Sequence, residues 1–121
     1  MNVPVATTFD EYVAIMATNS PTATVLDCWR RLDRVLRDYG THLAIPIDAR
    51  DRVALEDAIA RDESLGRACA SSVRTMRQRR NAVAHELAIS ISTEDAIDYA
   101  RQSFAVIGTL AKRIAELEGA A

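Results

Sequence analysis

Val25, Trp29, Leu32, Leu36 and Tyr39 recur at intervals of four, three, four and three residues, with Leu26 and Val35 alongside. A helix returns such a run to one face, because about 3.6 residues make a turn and positions three or four apart stack above one another. An apolar stripe of this width must be covered by other elements. The helix has a marked start at Asn19-Ser20-Pro21, a cap residue followed by proline at the first helical position, and ends at Gly40 or a little beyond.

Helical patterning extends to the rest of the chain. Thr8-Phe9-Asp10-Glu11 has the spacing of a capping box and opens a short helix to about Ala17. His42 to Ile47 carries Pro46 and reads as a connection, followed by a short helix from Asp48 to Arg61 around Val53, Leu55 and Ile59. The next helix starts at Asp62 or Ser64 and runs to about Ala88, with Leu65, Cys69, Val73, Met76, Val83 and Leu87 as its apolar line. Gly66 leaves open whether these two are one bent helix or two. ISIST is a β-branched spacer, and Ser92-Thr93-Glu94-Asp95 caps a last helix with acids where the dipole favours them. Ile97, Ala100, Phe104, Ile107, Ala111 and Ile114 carry that helix to about Leu117. The expected fold is all-α: a four-helix bundle over residues 20–121, with residues 1–19 as an N-terminal segment holding a short extra helix.

Composition narrows the function classes. The 121 residues are one domain's worth, and 49% hydrophobic with 26% charged residues is a globular balance. No apolar run approaches the roughly 18 residues needed to span a bilayer. The opening MNVPVATTFDEY lacks the basic and apolar regions of a signal peptide, so a cytoplasmic location is expected. Cys28 and Cys69 have no CxxC spacing and read as reduced core thiols. A net charge of −2 argues against a general nucleic-acid coat protein. Yet fourteen of the fifteen basic residues are arginine, and Arg74, Arg77, Arg79 and Arg80 fall within seven residues. That local patch suits an anion, or else is a solvated helix face.

The patch leads into RRNAVAHE, residues 79–86. With His85 set at zero on a helix, Met76, Val83 and Leu87 lie near the opposite side, and Arg80 falls at about −140°, beside Val73 on the apolar stripe. Asn81, Gln78 and Arg74 cluster within about 40° of His85, and Arg77 lies at about −80°. An arginine in a dry interior without a partner costs several kcal/mol. Arg80 therefore pairs with an acid, Asp33 being the obvious candidate, snorkels outward, or lies at the rim of a cleft where an anion binds. In the last case, an arginine gripping a phosphate, a histidine that moves protons near neutral pH and an asparagine that orients the imidazole or the scissile group are the parts for RNA cleavage by the 2′-hydroxyl. No HExxH, Cys/His cluster, GxxxxGK[ST] or GxGxxG competes, and the only other histidine is His42.

Two stretches resemble the HEPN superfamily of small helical domains. SPTATVLDCWRRLDRVLRDYG (20–40) is similar to the first long helix of such domains. MRQRRNAVAHELAISISTEDAIDYARQSF (76–104) is similar to their signature helix, short spacer and acid-capped last helix, and the resemblance covers about residues 20 to 117. Arg80, Asn81 and His85 match the shortest form of the family's arginine–polar–histidine motif. The resemblance implies an up-down four-helix bundle and a homodimer whose motif helices meet at a shared cleft. It also implies a metal-independent endoribonuclease of a bacterial toxin–antitoxin or anti-phage defence system, with RNA as substrate, an antitoxin or defence-system protein as partner, and no cofactor. Arg80 then holds the scissile phosphate, His85 serves in acid–base catalysis, Asn81 assists, and Arg74, Arg77 and Arg79 extend the RNA-binding surface. Leu87 stands where partner-modified family members carry a tyrosine, so adenylylation there is not implied. The alternative within the same resemblance is a non-catalytic module that dimerises and binds a nucleotide or protein.

Overall fold

The computed structural model describes residues 9–45, 52–85 and 91–119. Five helices follow one another: α1 (Phe9–Asn19), α2 (Pro21–His42), α3 (Arg52–Arg61), α4 (Gly66–His85) and α5 (Thr93–Gly119). Among the described residues there is no strand, and no helix is long and apolar enough to cross a membrane. The long helices α2 and α5 form the central pair; α1 lies against both, α4 packs on α2 and α5, and α3 packs mainly on α4.

The α1–α2 junction is one residue wide. Pro21 disfavours helical backbone at Ser20, which is extended (φ −158°, ψ 98°) and accepts a bond at its side-chain oxygen from the Ala23 amide (3.2 Å). Val25, Trp29, Leu32, Leu36 and Tyr39 are all buried, as their spacing requires. Val13 and Ala17 of α1 join the same core. Cys28 is fully buried, and burial, with Asp27 adding to the effect, pushes its thiol up to about 11; Cys28 and Cys69 are both free. The capping-box residue Thr8, Pro46 and the Asp48 start of the third helix lie outside the described residues, as do Leu87 and the helix end at Ala88.

Two expectations are corrected here, and one open alternative is decided. Val53 is 60% exposed, whereas Leu55 and Ile59 are buried as expected and Glu56 turns inward with them. The stretch 52–85 is two helices, and the second begins at Gly66 rather than at Asp62 or Ser64. The reason is the Asp62 carboxylate: Tyr39 Oη donates to it (2.7 Å), as do Arg113 Nε (3.0 Å) and the Ser64 amide (2.9 Å). These bonds hold a turn that closes through Gly66 in left-handed backbone at φ +79°, where a side chain would be strained.

The buried seam of α5 follows the expected line only at Ala100 and Ile114. It runs through Ala96, Tyr99, Ala100, Ser103, Val106, Leu110 and Ile114, while Ile97, Phe104 and Ile107 flank it half-buried and Ala111 is exposed. Ala96, Ala100 and Ser103 are small and let helices approach closely, and Tyr99, Val106, Leu110 and Ile114 fill the rest of the seam. Tyr99 satisfies its hydroxyl by donating to the Met76 carbonyl (3.0 Å), tying α5 to α4.

Asp62 and His42 give the fold a pH dependence with opposite signs. Burial alone raises the Asp62 carboxyl, but the bonds from Tyr39, Arg113 and Ser64 outweigh it and hold it below the ordinary aspartate value. Its stabilisation is therefore present above pH of about 4 and disappears as pH falls through the depressed value. His42 lies 2.9 Å from the Asp38 carbonyl and 3.0 Å from Glu118 at the end of α5; the Asp38 bond first, then Glu118, raise its value. That contribution is complete below about pH 6.5 and is lost as pH rises through the raised value. Urea midpoints measured from pH 3 to 9 are expected to fall at both ends. In Asp62→Asn the acid limb should flatten, and in His42→Gln the alkaline one; unchanged limbs would contradict the assignment.

Candidate functional site

All six candidate residues lie on α4 between Arg74 and His85, and they separate into three groups. Arg80 is half-buried, and its Nη1 donates to Oδ1 of the neighbouring Asn81 (3.2 Å). Among the described residues no carboxylate lies within ion-pair distance of it. Asp33 is bonded to Arg37 of its own helix (3.0 Å), so the expected Arg80–Asp33 pair does not form. Asn81 thus orients Arg80 rather than the imidazole. His85 is the exposed last residue of α4, with no hydrogen bond among the described residues.

Arg74 and Arg77 face α3. Arg77 Nη2 donates to Glu56 Oε1 (3.1 Å), and Arg74 Nε lies 3.7 Å from the same oxygen. Glu56 is only 3% exposed, so its charge is held by these two arginines. Arg77 Nε is buried without a partner among the described residues. Glu56 is the functional neighbour that sequence reading missed. Its signal was its place between Leu55 and Ile59 on the inward face of α3, opposite two arginines one turn apart. Glu56→Ala is expected to destabilise the protein by about 2 kcal/mol, because it leaves Arg77 half-buried and unpaired. Glu56→Ala combined with Arg77→Met should recover part of that loss in denaturant titrations; simple additivity of the two would contradict the pairing.

Arg79 points to a different surface. It lines a pocket with Val25, Val83, Ile91, Asp95 and Tyr99, between the end of α4 and the start of α5. The site therefore offers one cation oriented by an amide (Arg80), one free imidazole (His85) and one further cation at a pocket mouth (Arg79). Arg74 and Arg77 are already engaged by a carboxylate. Arg80 and Arg79 are groups that can hold a phosphate, and His85 is one that can exchange a proton, but they face different directions around α4. Among the described residues no group of three or more His, Cys, Asp or Glu side chains is placed to hold a metal ion. Comparison with protein-family models, with curated proteins and with solved structures finds no match for this chain.

Proposed function

We propose that the chain is a HEPN-type, metal-independent endoribonuclease that works as a homodimer. The observation that carries this reading is Arg80: a half-buried guanidinium, oriented by Asn81 and without a carboxylate among the described residues, five positions before an exposed His85. A carboxylate partner would have made Arg80 a structural charge. Without one, it is available to an external anion.

Arg80 and His85 lie about 140° apart around one helix, so a single α4 does not aim both at one phosphate. Two copies with their α4 ends facing each other bring the arginine of one toward the histidine of the other, which is why the reading includes a dimer. The half-buried residues Ile97, Phe104 and Ile107 on α5 supply apolar surface for such a contact. Within the cleft, Arg80 holds the scissile phosphate and stabilises the extra negative charge of the phosphorane. His85 takes the 2′-hydroxyl proton or returns one to the leaving 5′-oxygen. The products are a 2′,3′-cyclic phosphate and a 5′-hydroxyl. The biological setting proposed is a cytoplasmic toxin–antitoxin or anti-phage defence system, with an antitoxin or defence protein as partner.

One observation favours the alternative of a non-catalytic, HEPN-like binding module: Glu56 pairs with Arg77 and lies near Arg74, so its charge offsets one of these two cations on the surface expected to hold RNA. The two readings separate on incubation of the dimer, verified by sedimentation, with single-stranded RNA and tRNA in EDTA. Cleavage to cyclic-phosphate ends is expected. Intact RNA from a folded dimer would favour the binding module.

A further inference from the structure

The pocket beside Arg79 has properties that the proposed cleavage chemistry does not use. It encloses about 320 Å³, within the usual range of small-ligand clefts of about 300–1,000 Å³. Val25 of α2, Val83 of α4 and Ile91 before α5 give it apolar walls, and Tyr99 contributes to its lining. Arg79 and Asp95 line the same pocket from different helices, yet they do not pair with each other. Among the described residues, neither side chain makes an ion pair or hydrogen bond. Both side chains are exposed, so a donor fork and an acceptor pair stand open to a ligand beside apolar walls, and these are the ingredients of base recognition.

We infer that this pocket binds a guanine base and gives the enzyme its preference for cutting beside guanosine, an inference that rests on the ribonuclease reading of α4. Guanine presents two acceptors, O6 and N7, on one edge, and an arginine reads these with two parallel N–H groups. Its adjacent edge carries N1–H and the N2 amino group side by side, and a carboxylate accepts both at once. Adenine and cytosine each offer Asp95 one amino group, and uracil offers one ring N–H. Only guanine engages Arg79 and Asp95 each through two bonds. The apolar walls suit the faces of the ring. Arg79 and Arg80 are consecutive on α4, so the base pocket adjoins the phosphate-holding arginine in sequence, with the two side chains about 100° apart around the helix.

The test is equilibrium binding of the four nucleoside 3′-monophosphates to the wild-type chain, to Asp95→Asn and to Arg79→Gln, with helix content checked by circular dichroism. Cleavage sites on a random-sequence RNA are mapped in parallel. Guanosine 3′-monophosphate is expected to bind the wild type about tenfold or more tightly than the other three, and to lose that margin in Asp95→Asn. Arg79→Gln should weaken it as well. That pattern supports the pocket even if no RNA is cut, in which case the ribonuclease reading alone fails. Equal binding of all four, no binding of any, or a guanine margin unchanged in Asp95→Asn would overturn the pocket. RNA cleavage without base preference would then leave the ribonuclease reading standing.

Discussion

Asp62→Ala is expected to destabilise the fold by about 3 kcal/mol, a large loss for a polar residue in a turn. Asp62 is the point where α2, the α3–α4 turn and α5 meet. Removing its carboxylate leaves the fully buried Tyr39 hydroxyl without its partner, Arg113 Nε without its counter-charge and the Ser64 amide without its acceptor. Arg113 keeps a bond to Glu116 (3.2 Å), which limits the cost of its stranded charge. The buried phenol has no such relief in what is described, and burial and the neighbouring carboxylate already push its ionisation well above the ordinary tyrosine value. Denaturant titration followed by circular dichroism reads the loss directly. Tyr39→Phe alone should cost about 1 kcal/mol, and in the double variant the two losses should fall short of their sum. A change below about 0.5 kcal/mol for Asp62→Ala would show that the turn is held by something else.

Arg80→Ala is expected to lower RNA cleavage about 10²–10³-fold while leaving the helix content intact. Arg80 donates only to Asn81 and strands no carboxylate among the described residues, so its loss does not expose a buried countercharge. This separates it from Arg77, whose removal leaves Glu56 buried beside the half-exposed Arg74 alone. Arg80→Lys retains the charge but not the planar fork, and its activity should fall between wild type and alanine. Initial rates on a short single-stranded RNA, with unfolding midpoints of the same samples, measure both properties. A wild-type rate in Arg80→Ala would remove Arg80 from the phosphate site. An unfolded Arg80→Ala would make it a structural residue.

The parts of the fold legible in the sequence are those where periodicity and punctuation agree. In α2 the apolar stripe and Ser20-Pro21 point to the same helix, and the structure has it with its stripe buried. At the start of α5 the Ser92 side chain accepts from the Asp95 amide (3.0 Å), as the cap pattern requires. The seam of α5 misleads in part because hydrophobicity ranks Ile97, Phe104 and Ile107 above Ala96 and Ser103. Close helix contact depends on small size, which that ranking does not measure. The α3–α4 break depends on Tyr39 and Arg113, residues 23 and 51 positions away from Asp62, and no local pattern reports it. The candidate site shows the same division. RRNAVAHE singles out Arg80, Asn81 and His85 by their order along one helix. That Asn81 serves Arg80, and that Glu56 engages Arg74 and Arg77, depends on side-chain directions and on a helix brought in by the tertiary fold.

The central claim is that RRNAVAHE is an active site, and end-group analysis of RNA treated with wild-type and His85→Ala protein in EDTA tests it most directly. The account predicts that wild type cuts without added metal and leaves 2′,3′-cyclic phosphate and 5′-hydroxyl ends. His85→Ala, equally folded and equally dimeric, should cut at least about 10²-fold more slowly. Equal cleavage by the two proteins, or cleavage that appears only when Mg²⁺ is supplied, would contradict it.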